Sequence, residues 1–112
     1  MSTLTLLEAG SFRHRLTLEE AVETSDGMGG VVRSWVELRS VWAHLEPVRS
    51  DMRERASQTD ELVTHRIYTR QGGVLSSELR LRRGDRIFDI EHFHDPDETG
   101  RYWLISVVEK GR

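Results

Sequence analysis

The stretch Asp26–Pro47, DGMGGVVRSWVELRSVWAHLEP, decides the fold. Asp26, Gly27, Gly29 and Gly30 make a glycine-rich turn, and glycine tolerates the positive φ that tight hairpin loops need. One long β-type run follows, with Trp35 and Trp42 in it. Its apolar residues change parity: Val32, Val36 and Leu38 are even, whereas Val41, Ala43 and Leu45 are odd. Strand side chains alternate faces, so one face holds all six only if the strand bulges or bends near Arg39–Ser40. Long strands that bend while keeping one face dry turn the corners of small barrels. With that bend, Trp35 and Trp42 share the opposite face; without it they point in opposite directions. Two outward tryptophans form an apolar patch of the kind that marks an interface. The other arrangement sinks at least one of them into the barrel interior.

The flanking sequence agrees with an all-β chain. Residues 1–11 hold a short apolar stretch, Leu4 to Leu7, read as an N-terminal arm. Phe12 to Glu23 alternates, with Phe12, His14, Leu16, Leu18 and Val22 on one face and Arg13, Arg15, Thr17, Glu19 and Glu23 on the other. That is the pattern of a half-buried antiparallel strand. Pro47 stops the second strand because it cannot donate to a ladder. Arg49 to Glu61 is highly charged and places only Met52 and Ala56 at helical spacing, which predicts a mobile loop with at most a short helix capped by Ser50. Strands are expected at Val63–Arg70, Leu79–Arg82, Ile87–His94 and Tyr102–Val108. Gly84–Asp85 offers a type II′ turn, and Asp95–Gly100 a longer one. The last strand is apolar on both faces, as in a strand central in a barrel or pressed against a neighbouring subunit. The expected fold is one domain over residues 1–112, a small six-stranded antiparallel β-barrel with a long charged loop, 48–62, between strands 2 and 3.

Composition narrows the chemistry. A chain of 112 residues suits one core, and its 37% hydrophobic and 31% charged content is that of an ordinary folded domain. The absence of cysteine excludes disulfides and thiolate sites. No apolar run reaches the roughly 18 residues of a membrane span, and no signal peptide opens the chain, so a reducing cytoplasm is the expected site of synthesis. Arg66 to Arg86 carries six arginines against Glu78 and Asp85, whereas Ile87 to Glu98 carries Asp89, Glu91, Asp95, Asp97 and Glu98 and no base. Such blocks form either opposing patches that steer like subunits together or the charged outer face of a solvated strand pair. On the first alternative, subunit contacts fall on Trp35, Trp42, Arg80, Arg82, Asp95 and Asp97.

Few residues invite catalysis or metal. His92 and His94 share a strand face near Asp95, Asp97 and Glu98, but no third ligand is fixed by spacing, and strand-end polar residues are the default. His14 and His65 fall inside strands, where packing or hydrogen bonding accounts for them. Ser76–Ser77 has no adjacent base. Gly27, Gly29 and Gly30 lack the Lys-Ser/Thr of a phosphate loop and precede a strand rather than a helix. Arg83-Gly84-Asp85 is a hairpin turn. No enzyme, cofactor or metal is expected.

Ordered motifs from Gly10 to about Glu109 resemble the bacteriophage head–tail joining proteins, also called head-closure, stopper or head–tail connector proteins. They are Arg13-His14-Arg15-Leu16-Thr17-Leu18, Asp26-Gly27-Met28-Gly29-Gly30, Ser34-Trp35, Val41-Trp42-Ala43 and Glu46-Pro47, then Thr64-His65-Arg66-Ile67, Phe88-Asp89-Ile90, Asp95-Pro96-Asp97-Glu98 and Gly100-Arg101. The arm before Gly10 is longer than the family pattern. The resemblance implies a structural, non-catalytic protein of a phage, prophage or gene transfer agent virion, assembled in the host cytoplasm. It implies a ring, sixfold or twelvefold, beneath a portal–adaptor complex, which extends the DNA channel and docks the tail or tail-terminator protein. A loop between strands 2 and 3 then projects into the channel and retains packaged double-stranded DNA. Here that loop carries Arg49, Arg53 and Arg55 against Asp51, Glu54, Asp60 and Glu61, a near-balance that suits a plug beside DNA better than a phosphate grip. The rival readings are an oligonucleotide-binding barrel, with Trp35, Trp42 or Trp103 stacking on bases and Arg80–Arg86 meeting phosphates, and a tail-side adaptor or terminator protein.

Overall fold

The computed structural model describes residues 11–48 and 62–110. Six strands follow in chain order: β1 (His14–Ser25), β2 (Val31–Pro47), β3 (His65–Arg70), β4 (Arg80–Arg83), β5 (Arg86–His94) and β6 (Tyr102–Lys110). All pair antiparallel and close into a barrel in the order β1-β2-β3-β6-β5-β4. The described residues contain no α-helix. The loop residues Arg49 to Glu61 and the arm up to Gly10 lie outside the described residues.

Alternation fills the barrel. Leu16 and Leu18 of β1, Ala43 of β2, Ile67 of β3, Leu81 of β4, Phe88 and Ile90 of β5, and Ile105 and Val107 of β6 form one buried cluster, joined by Leu79. A second, smaller cluster lies on the outside. Phe12 covers Tyr68, with Tyr102 and Leu104 packed beside them. The apolar outer face of β6 is therefore dried, in part, by the chain's own residue just ahead of β1.

The bulge foreseen in β2 is present. Leu18 pairs with Arg39 and Glu19 with Glu37, so Leu38 is the extra residue, one position before Arg39–Ser40. Beyond it β1 and β2 continue as a two-stranded hairpin, because β4 leaves β1 at the Glu19–Arg80 pair and β3 pairs with β2 only from Ala43 onward. One expectation is corrected here. Val32, Val36 and Leu38 are exposed and belong to no dry face, since the hairpin outruns the barrel that would cover them. A second bulge, at Glu91 of β5, lies between the Ile90–Val107 and His92–Ser106 pairs.

The turns follow their chemistry. Asp26 Oδ1 accepts from the amides of Met28 (2.7 Å) and Gly30 (3.0 Å), while Gly27 and Gly29 take φ of 80° and 87°. Gly84 has φ 61° and Asp85 stays out of the positive region, which is the type II′ pattern. At the other side of β2, the Val48 amide donates to the Thr64 carbonyl at 2.8 Å, and the Thr64 amide donates to the Val107 carbonyl at 2.9 Å. The stems of the charged segment are thus tied to the barrel end opposite the hairpin tip.

Packing separates the barrel from the hairpin energetically. Phe88→Ala is expected to lower unfolding free energy by about 3–5 kcal/mol, by transfer and cavity terms together. Val32→Ala, on the exposed hairpin, should change it by no more than about 0.5 kcal/mol. Denaturant melts of the two variants against the parent chain measure both.

Candidate assembly surface

The shortest strand, β4, closes the barrel through only three pairs with β1: Thr17–Arg82, Leu18–Leu81 and Glu19–Arg80. Leu81 points inward, so Arg80 and Arg82 flank it on the outer face, and Glu19 stands between them. The Arg80 Nε donates to Glu19 Oε1 and the Arg82 Nε to Glu19 Oε2, both at 2.8 Å. Above them the Arg80 guanidinium lies 4.1 Å from the Trp35 ring centroid, a cation–π stack. Roofed in this way, Glu19 is only 5% exposed although it lies on the outer wall. Burial alone would raise its pKa; the hydrogen bonds and charges of Arg82 and Arg80 outweigh burial and hold the carboxyl below its ordinary value.

The sequence-predicted contact residues fall into distinct settings. Cross-strand pairing places Trp35, opposite Ala21, and Trp42, opposite Arg15, on the outer face. Neither tryptophan fills the barrel. Trp35 is half-buried under its contact with Arg80, whereas Trp42 is 53% exposed and has the Arg15 guanidinium 5.3 Å from its ring centroid. Trp103 packs edge-on to Phe93 at 5.2 Å, and its indole nitrogen is buried with no hydrogen-bond partner. Arg80 and Arg82 are paired within the chain through Glu19.

Asp95 and Asp97 organise their own turn. Asp95 Oδ2 accepts from the Gly100 amide (2.7 Å) and from Gln71 Nε2 (3.0 Å). Asp97 Oδ1 accepts from the Thr99 hydroxyl (2.7 Å), and Arg101 donates to its Oδ2 (3.0 Å). The Thr99 hydrogen bond, then Arg101, holds the Asp97 carboxyl below its usual range despite some burial. Glu109 receives a two-pronged contact from Arg86, at 2.8 and 3.1 Å. Thus Arg80, Arg82 and Arg86 of the basic block are engaged by two carboxylates, Glu19 of β1 and Glu109 of β6.

The seven loop residues Arg49, Asp51, Arg53, Glu54, Arg55, Asp60 and Glu61 lie outside the described residues. No group of three or more His, Asp or Glu side chains among the described residues could hold a metal ion. His65 packs edge-on to Phe88 at 5.4 Å, with its Nδ1 2.9 Å from Thr64 Oγ1. His14 Nδ1 is buried without a partner, and burial, followed by the charges of Arg83, His44, Arg86 and Arg13, lowers the ring pKa.

A groove of about 540 Å³ opens where β2 and β3 part company. Arg39, Ser40, Val41 and Trp42 line it from β2, facing Phe12, Thr69, Arg70 and Gly72. Arg39 reaches across to donate to the Val74 carbonyl at 2.9 Å, pinning the loop after β3. Gly73 is required there: its φ is 72°, and a Cβ would come within 2.7 Å of the Arg39 guanidinium carbon. The sequence reading missed both the groove and Glu19, because each arises from contacts between strands far apart in the chain.

A family model described as phage head completion protein matches residues 7–110. No curated protein matches the chain. Among solved structures, the chain is similar to a protein from Shigella flexneri 2a, known from its solution structure. The two share a TM-score of 0.74 and 22% identity over 95% of this chain and 99% of that one, a likeness of fold. A chain from the virion of a native gene transfer agent particle is 31% identical, with a TM-score of 0.61 over 88% of this chain and 94% of that one.

Glu19→Gln should leave two arginines facing a neutral amide. It is expected to cost about 2–3 kcal/mol, less than the roughly 3–5 kcal/mol of a fully dry pair because Arg82 is partly exposed. A carboxyl held low in the fold adds stability that is complete above its unfolded pKa and is lost as pH falls through the folded value. Urea melts from pH 7 downward should therefore show the parent and the variant converging at acid pH. A constant difference across the series would show that the Glu19 charge is not what closes the seam.

Proposed function

The chain belongs to the phage head completion protein family, and from that premise we propose that it is the subunit of a ring at the head–tail joint. Membership makes it a structural protein of a phage-type virion head. The ring sits beneath a portal–adaptor complex, extends the DNA channel, and offers the face on which a tail or tail-terminator protein docks. Its role is mechanical, with no catalytic residue. The observation that carries this reading is the match over residues 7–110, joined to 31% identity with a chain of a gene transfer agent virion.

The geometry supports it in two ways. A closed barrel has no open sheet edge in its body, so such bodies can stand side by side without strand exchange. The molecule is also polar along its axis, with the glycine hairpin at one end and the stems of the charged segment, Val48 and Thr64, at the other. In a ring, that second end would present Arg49, Asp51, Arg53, Glu54, Arg55, Asp60 and Glu61 from every subunit to packaged double-stranded DNA. Of the six residues expected at subunit contacts, Trp42 is the one left exposed to supply them, and Trp35, Arg80, Arg82, Asp95 and Asp97 are engaged within the chain.

An oligonucleotide-binding role is less well served. Trp35 is stacked by Arg80, Trp103 is packed on Phe93, and Arg80, Arg82 and Arg86 already face carboxylates. That leaves one exposed tryptophan among the described residues, Trp42.

Deleting Ser50–Asp60 should leave the melting transition in place while particles assembled with the variant lose packaged DNA. The measurement is nuclease-protected genome per particle. Full retention would remove the gate role from this segment. Particles assembled without the protein altogether should lack joined tails; normal tailed particles would refute the connector role itself.

A further inference from the structure

The hairpin that outruns the barrel has an unpartnered face on which valines are interleaved with Glu20, Thr24 and Ser34. The pairs Glu20–Val36, Val22–Ser34 and Thr24–Val32 set Val22, Val32 and Val36 on one side, and Leu38 at the bulge is exposed beside them. Val32 is 53% and Val36 43% exposed, so β-branched side chains suited to a sheet interior here meet solvent. The opposite hairpin face is already in use, since Trp35 packs on Arg80. The hairpin is also acidic: Glu20, Glu23, Asp26 and Glu37 stand against Arg33 alone.

The groove between β2 and β3 has the matching character. Phe12, Val41 and Trp42 give it apolar walls, and Arg39 and Arg70 line it, with Arg15 above Trp42. Arg15, Arg39 and Arg70 form no salt bridge with a carboxylate among the described residues. Glu20 of the hairpin likewise forms no salt bridge there, while Glu37 lies within electrostatic reach of Arg82. A projecting acidic element with a valine face and a basic groove with apolar walls therefore occur on one chain. The groove begins on β2 just past the bulge, only a few residues from the hairpin's own valine face. The rigid two-stranded ladder cannot fold back on itself over that distance.

We propose that the valine face of the β1–β2 hairpin docks into the β2–β3 groove of a second copy of this chain. The contact is heterologous, hairpin to groove, and a heterologous contact makes a ring when its rotation closes and an open filament when it does not. Charge complementarity sets its direction, because hairpin against hairpin brings carboxylates together and groove against groove brings guanidiniums together. The proposal rests on the ring reading above and names the surfaces that would build the ring.

The chain contains no cysteine, so introduced thiols report without background. Particles are assembled with an equal mixture of V36C and S40C chains carrying different tags, then treated with a short bismaleimide. The expected product is the mixed adduct of the two tags, with V36C alone and S40C alone giving no adduct. A chain bearing both substitutions should give a ladder of multimers. Same-tag adducts only, or no adduct in particles that contain both chains, would overturn the docking while leaving the connector reading intact. A V36C adduct to a different virion protein would assign the hairpin to that partner and overturn it equally. Absence of the chain from particles would overturn both.

Discussion

A barrel is only as closed as its last seam, and here the last seam is the shortest. β4 meets β1 over three residue pairs, and backbone hydrogen bonds of that number hold weakly against fraying. One carboxylate, Glu19, spans both flanking arginines of β4, so that the two edges are joined by charge as well as by ladder. Charge-assisted contacts strengthen as water is removed, and Trp35 removes it by lying over Arg80. Trp35 reaches that place only because the extra residue Leu38 resets the register of β2. Bulge, tryptophan, arginine and glutamate thus form one chain of dependence, and the closed order β1-β2-β3-β6-β5-β4 stands on it.

What could be read from the sequence was the part that is local. Parity along a single strand located the bulge to within one residue and offered one shared outer face for Trp35 and Trp42 as one of two arrangements, while glycine marked the Gly84–Asp85 turn. What could not be read needed a partner strand. Alternation in β1 put Glu19 on the outer side, correctly, yet nothing in β1 says that Arg80 and Arg82 arrive sixty-odd residues later to bury it. The same blindness left a free patch among the readings of the basic block, although four of its six arginines face carboxylates. The doubly apolar β6 admitted a barrel centre or a neighbouring subunit. The structure has Trp103, Ile105 and Val107 inside, with Phe12 of the same chain drying Tyr102 and Leu104 outside.

The outer wall is not uniform as a result. Around Glu19 its charges are paired and the carboxylate is buried. Between β2 and β3 it opens, with Trp42 exposed and arginines beside it. Family membership says such a chain serves a phage-type head; the wall says which parts of it have contacts to spare. The residues fixed by their own chain, Asp95 and Asp97 among them, keep shape. The groove and the valine face of the hairpin are where shape is offered outward.

The hairpin bears on how the chain avoids pairing with copies of itself strand to strand. From Glu20 to Ser25 on one side and from Val31 to Trp42 on the other, no described strand besides its hairpin mate pairs with it. Bare strand edges of this kind seed fibrils when like meets like. Glu20, Glu23 and Glu37 make growth by like strands repulsive, with Glu20 on the valine face and Glu37 on the other. The same acidity that works against like-with-like strand pairing is what a basic surface would cancel.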